Sequence, residues 1–298
     1  MITGEPDDLF TLRTLFWIGS YRAAINEAAT LSKINASLKQ EKDEYVYRSY
    51  LGLGQYSIIL SEVSDKPTTP VGLLAIRLLA TYLNDPSTKE IAILQMKEWL
   101  NDSSAVNSKT LRIIAATLFM YDDNWKDAMK TVSSCSTIEQ RAMMVQLYLR
   151  IDRADLAAKE LKSMKALDED NVLSMLATAW VNLATGGGTK AQEAAYIYDE
   201  LIDKYGAFPA LLNGLAVAKM HQGQWDEAEA ALKEAVSKAP SDADTLANLV
   251  VVSYHLQRQQ DVINRYLSQL KISAPNHAMV ASLNTFSGAF DRVAATLA

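Results

Sequence analysis

The sequence predicts an all-α chain in which short helical hairpins stack into an α-solenoid, on three observations. Apolar residues recur at helical spacing over long segments, the few Gly and Pro fall mostly between those segments, and the pattern repeats with a period near 34 residues. A chain of 298 residues could form one or two compact domains, but a repeat stack escapes the size limit because each unit buries its core against its neighbours. The reading is therefore one domain over 1–298, with 278–298 as its C-terminal cap.

The clearest repeat runs from Pro209 to Asp242. Leu212, Leu215, Ala216, Gly223, Trp225, Ala228, Leu232, Ala235 and Pro240 stand at the offsets of a tetratricopeptide-like pair of antiparallel helices, and Lys219 replaces the usual aromatic. Anchoring on a small residue and its partner one turn later gives about eight hairpins: Ala24/Ala28, Ile59/Val63, Ala92/Met96, Ala128/Val132, Ala157/Leu161, Ala194/Tyr198, Ala228/Leu232 and Val262/Tyr266. The small residue lets the second helix approach the first, and its partner fills the gap toward the next repeat. Gly19, Gly54 and Gly223 precede it by the same offset, with Asp123 in the equivalent place; glycine there ends the first helix at little steric cost.

Successive anchors lie 35, 33, 36, 29, 37, 34 and 34 residues apart, so the middle of the stack is irregular. The 29 before Ala157 predicts a shortened linker, and the 37 before Ala194 a lengthened one at Thr185–Thr189. The amphipathic stretch Ala278–Leu297 predicts a helix that covers the last apolar face.

Composition sets limits on function. A hydrophobic share of 49% and a charged share of 21% belong to an ordered chain with a packed core. The net charge of -6 repels a phosphate backbone and an anionic membrane surface alike, so neither nucleic acid nor bare membrane is an expected partner. The acidic start lacks the features of a secretion signal, and the apolar run Val71–Leu83 is broken by Arg77. Cys135 is the single cysteine, which excludes an internal disulfide and suits a reducing cytosol. The glycosylation-type triplets at Asn35 and Asn101 read as accidental.

Candidate chemistry dissolves on inspection, and no enzyme, metal or cofactor is expected. Gly186-Gly187-Gly188-Thr189-Lys190 lacks the Walker spacing and the preceding strand, so it reads as an interhelical turn. His221 and His255 sit at equivalent helix ends, where a cation suits the dipole; with His277 they are too few for a metal site. Cys135 occupies a small-residue position with no activating base in prospect. Asp168-Glu169-Asp170 precedes a helix beginning near Val172 and reads as capping charge. Trp99, Trp125, Trp180 and Trp225 read as core, Trp17 with less to assign it.

Some tetratricopeptide modules grip a terminal carboxylate with Lys at repeat position 5 and Asn at position 9. Here those positions hold Leu9 and Arg13, Glu44 and Arg48, Arg77 and Thr81, Ile113 and Thr117, Ala142 and Gln146, Ala179 and Leu183, Asn213 and Val217, Ala247 and Val251. The clamp is absent, which argues against the alternative of a general peptide-binding adaptor. The apolar character of the later positions suggests a broad, less polar contact. Asn213, Val217, Met220 and Tyr254 would line the inner face of the last two repeats as candidate partner-binding residues, or equally pack against helices of the same chain.

Several strings exceed what the generic repeat demands: Phe16–Ala28 (FWIGSYRAAINEA), Leu176–Gly187 (LATAWVNLATGG), Leu211–Gly223 (LLNGLAVAKMHQG), Asn248–Leu256 (NLVVVSYHL), Asn264–Lys271 (NRYLSQLK) and Phe290-Asp291-Arg292. On these the chain resembles the epsilon subunit family of coatomer, from about Asp8 to Arg292, with fewer such strings over 38–111. The resemblance implies a cytoplasmic, non-catalytic vesicle-coat subunit that binds and stabilises the C-terminal domain of the alpha subunit. It implies indirect association with the other coatomer subunits and membrane contact only through the complex, on Golgi membranes and coated vesicles. The process implied is protein transport from Golgi to endoplasmic reticulum and within the Golgi.

Overall fold

The computed structural model describes residues 7–32, 34–103, 107–134 and 137–297; Cys135 lies outside them. Among the described residues the chain is seventeen α-helices and one 3-10 turn, with no strand. It divides into two compact units, 1–184 and 185–298.

Unit 1 is a run of helical hairpins. Its first helices are α1 (Phe10–Trp17), α3 (Ala36–Gly52), α5 (Val71–Asn84), α7 (Lys109–Tyr121) and α9 (Ile138–Arg150). Their second helices are α2 (Tyr21–Thr30), α4 (Tyr56–Glu62), α6 (Lys89–Asn101), α8 (Trp125–Val132) and α10 (Ala154–Leu167), and α11 (Val172–Thr185) closes the unit. Unit 2 opens with α12 (Gly188–Tyr205) and continues with the hairpins α13 (Pro209–His221) with α14 (Trp225–Lys238) and α15 (Ala243–His255) with α16 (Gln260–Ser273). A single helix, α17 (Ala278–Leu297), ends it.

The ends of these helices follow from local chemistry. Asn35, Ser108, Asn124, Thr137 and Asp242 each accept a hydrogen bond from a backbone N–H in the first turn that follows, satisfying a donor the helix leaves free. Six first helices end alike: Gly19, Gly54, Asp123, Asp152, Gly223 and Gln257 have φ between 51° and 78°. In each the next residue's N–H bonds the carbonyl five positions back, for example Asn124 to Phe119 at 2.9 Å and Arg153 to Tyr148 at 2.8 Å. Four of the six were legible as a motif. Asp152 and Gln257 hold the same left-handed turn without glycine, at a steric cost that glycine avoids.

The small-residue register matches the cores. Ala24, Ile59, Ala92, Ala128, Ala157, Ala194 and Ala228 are all at most 1% exposed. The last repeat differs by one residue: Ile263 is buried where the register pointed to Val262, which is half-buried. The turn Gln257-Arg258-Gln259 delays α16 by a residue relative to α14, and that rotates the next position inward. The irregular spacings also fall elsewhere than expected. The 29-residue step accompanies an α8 of only 8 residues, and the 37-residue step an α12 of 18 that begins at Gly188, inside the expected linker. The intervening turn is Gly186-Gly187, both at positive φ.

Candidate functional site

The sequence-derived face lies on α13 and α15 in unit 2. Asn213, Val217 and Met220 share one side of α13 at helical spacing, and Tyr254 stands 34 residues after Met220 on α15. Asn213 accepts a hydrogen bond from Asn248 Nδ2 at 2.9 Å, so part of its polar capacity ties the two helices together. Val217 is half-buried, and Met220 is packed against the buried cluster around Leu249 and Val250. Tyr254 is 56% exposed. The α13 residues are thus half-buried against their own chain, while Tyr254 presents its ring to solvent.

Unit 1 contains a feature that sequence reasoning missed, a cavity of about 640 Å³ lined chiefly by α1, α3 and the N-terminal turns of α7 and α9. Its wall is charged, and Arg13, Glu44, Arg48 and Glu139 in it are already partnered within the chain. The Arg48 guanidinium lies 4.5 Å from the centre of the Phe16 ring and 5.1 Å from that of Tyr45, and it forms a two-pronged ion pair with Glu139 across 91 residues of sequence. Glu139 sits in the first turn of α9, behind the Thr137–Gln140 capping box, where the helix dipole favours a carboxylate. Tyr45 donates its hydroxyl to the same carboxylate at 3.3 Å. Burial, and secondarily the Glu139 charge, raise the Tyr45 phenol far above its ordinary range, so it stays a donor. For Arg48 burial is the largest single influence and opposes the charge, but Glu139, with Tyr45 and Glu44, raises it and the net shift is upward.

Two further groups complete the wall. Glu44 accepts from Gln40 Nε2 at 2.9 Å and from the Thr110 hydroxyl, joining α3 to α7. Gly72 makes room for it, because a Cβ there would lie 2.4 Å from Glu44 Oε1. Arg13 pairs with Asp7 at 2.5 Å and Glu41 at 2.8 Å. Trp17 also lines the cavity; its buried Nε1 has no hydrogen-bond partner, and its ring packs on the cluster around Ala142 and Leu173. The signal for this cavity was present in the inner positions: Arg13, Glu44 and Arg48 are charged in the first two repeats, whereas the repeats after Arg77 carry no charge there.

The other sequence candidates take structural roles. Trp225 stacks on His255 with ring centres 3.7 Å apart and planes 7° apart, and His277 Nε2 lies 3.2 Å from Asp244. The oxygen that caps α11 belongs to Asn171, which accepts from Leu173 N at 3.0 Å; the Asp168 side chain accepts from Asn171 Nδ2 at 3.3 Å. Among the described residues no helix is long and apolar enough to cross a membrane.

The family model described as coatomer epsilon subunit matches residues 5–298. The chain belongs to the coatomer epsilon subunit family. Coatomer subunit epsilon-2 of Arabidopsis thaliana is 43% identical over 289 residues, covering 96% of each chain. Coatomer subunit epsilon of Dictyostelium discoideum is 33% identical over 296 residues, covering 96% of this chain and 97% of that one. Solved structures agree on the fold. A chain of the APC/C hetero-tetramer Cut9–Hcn1 superposes with a TM-score of 0.63 at 16% identity, over 95% of this chain and 56% of that one. A tetratricopeptide repeat protein from Parabacteroides merdae gives 0.60 at 14% identity, over 89% and 97%. As an epsilon family member the chain is a subunit of a vesicle coat, works in protein transport, and associates with the coatomer complex through protein–protein contacts.

Proposed function

We propose that the chain is a non-catalytic, cytoplasmic scaffold that binds and stabilises the C-terminal domain of the coatomer alpha subunit, in transport from Golgi to endoplasmic reticulum and within the Golgi. It meets the other subunits and the Golgi membrane only through the assembled coat. The observation that carries this reading is the unit 1 cavity, whose charged wall is held in one geometry by pairs that need no ligand. A recess shaped before binding loses little freedom when a partner enters, and that favours a stable complex. The face of Asn213, Val217, Met220 and Tyr254 is a second contact in the same proposal, as is the organisation of 1–298 as one domain capped by 278–298.

A general adaptor for terminal carboxylates is the weaker reading, because Arg13 and Arg48 already face carboxylates of their own. Calorimetry with the purified alpha C-terminal domain is the direct test. Sub-micromolar association is expected, with no binding of terminal-carboxylate peptides at about 100 μM. An alpha domain that does not associate at micromolar concentration removes the proposal, and tight peptide binding replaces it with the adaptor.

A further inference from the structure

α17 is the least covered helix of unit 2. Val280 in its first turn is 3% exposed and joins the unit 2 core with Met279, but Leu283, Phe286, Phe290 and Val293 are 38%, 71%, 73% and 59% exposed. Their spacings of 3, 4 and 3 make one continuous stripe, the seam that pairs with another helix rather than with a strand or a flat surface.

The repeat register explains why this stripe is apolar. Leu283 and Phe286 stand 34 residues after Leu249 and Val252, which are both 0% exposed because the stack continues over α15. α17 repeats that first-helix pattern with no helix after it. Its outward face is the one that an interior repeat buries, and a terminal cap ordinarily makes that face polar.

We propose that a second copy of this chain covers the stripe, α17 packing antiparallel on the α17 of the other copy in a two-fold dimer. The spacing is self-complementary: read in reverse it is again 3, 4, 3, so Phe286 meets the partner's Phe290 and Leu283 the partner's Val293, as an isologous interface requires. Asp291 and Arg292 are the only charged residues of the helix, so two copies meet without a row of like charges. The four side chains offer roughly 500 Å² per copy, about 1,000 Å² for the pair, which lies at the lower end of specific interfaces. A weak, reversible dimer follows.

Sedimentation equilibrium of the full chain from about 1 to 100 μM, with F286S/F290S beside it, tests the inference. Both replaced side chains are exposed, and circular dichroism will show whether the variant keeps the wild-type helicity. The wild type is expected to dimerise with a Kd on the order of 10 μM and the variant at least tenfold more weakly. A second readout is a spin label at Ser287→Cys in a Cys135→Ser background, which is expected to report a short label–label distance that F286S/F290S loses. A wild type that stays monomeric throughout overturns the inference, as does a dimer that survives F286S/F290S. A monomeric wild type whose double variant loses the alpha C-terminal domain assigns the stripe to that domain instead.

Discussion

In unit 1 the inner positions of the first helices carry Arg13, Glu44 and Arg48, tied by ion pairs and hydrogen bonds to residues 28 to 91 positions away. In unit 2 the corresponding positions are Asn213, Val217, Ala247 and Val251, joined by one amide–amide hydrogen bond and apolar packing. The same repeat thus builds two kinds of wall. Apolar packing tolerates small shifts of one helix against the next, because it is nearly non-directional. A desolvated guanidinium does not: its partner must stand in one place, so the paired charges of unit 1 select a single cavity shape.

The largest expected effect tests that difference. E139L leaves the Arg48 guanidinium without its carboxylate and is expected to destabilise unit 1 by about 3–5 kcal/mol, whereas R48M/E139L returns most of the loss. Hydrogen exchange along α3 and α9 reads it, and an E139L chain as well protected as wild type would show the pair to be incidental. In unit 2 the sensitivity should be to volume. L249A empties a site that is 0% exposed and is expected to cost about 3 kcal/mol, with increased exchange along α15. Gly214 belongs to the same comparison: a Cβ there lies 2.4 Å from the Tyr198 ring, so G214A should cost about 1–3 kcal/mol by overpacking α13 on α12.

Smaller effects sharpen the picture. Gln257→Gly in unit 2 and Asp123→Gly in unit 1 relieve a left-handed residue and should each raise stability by about 0.5 kcal/mol after the added freedom of the unfolded chain is subtracted, read as a higher denaturation midpoint. Equal gains are expected, since the turn is shared by both units. Glu229 contributes to the pH dependence of unit 2. Burial raises its pKa, but Arg258 and Lys233 outweigh this and hold it below the ordinary carboxylate value. A depressed carboxylate stabilises the fold above its unfolded pKa and loses that contribution as pH falls through its folded one. E229Q should flatten the decline in stability of unit 2 below about pH 4.5, by less than about 1 kcal/mol, in denaturation midpoints measured from pH 7 to 3.

The contrast also marks how much was legible in advance. The hairpins and small-residue anchors were readable because each is a signal within one or two helical turns. Four of the six left-handed turns carried a shared motif, while Asp152 and Gln257 adopt the same geometry with side chains that do not announce it. The face of Asn213, Val217, Met220 and Tyr254 follows from register alone, but its division into half-buried and exposed members does not. The unit 1 cavity was written in Arg13, Glu44 and Arg48 as charges at inner positions, yet nothing local pairs Arg48 with Glu139.

By itself the sequence determined the helical period, the repeat length, the small-residue contacts within each hairpin and its kinship with the coatomer epsilon family. These depend on neighbours three, four or thirty-four positions apart, which the chain must present in any compact state. Only the tertiary structure decided that Arg48 reaches Glu139, that Ile263 turns inward in place of Val262, and that α17 keeps Phe286 and Phe290 open. Each of those outcomes depends on small rotations accumulated from repeat to repeat. A one-residue turn difference or a shortened helix changes that sum without leaving a mark in the local pattern.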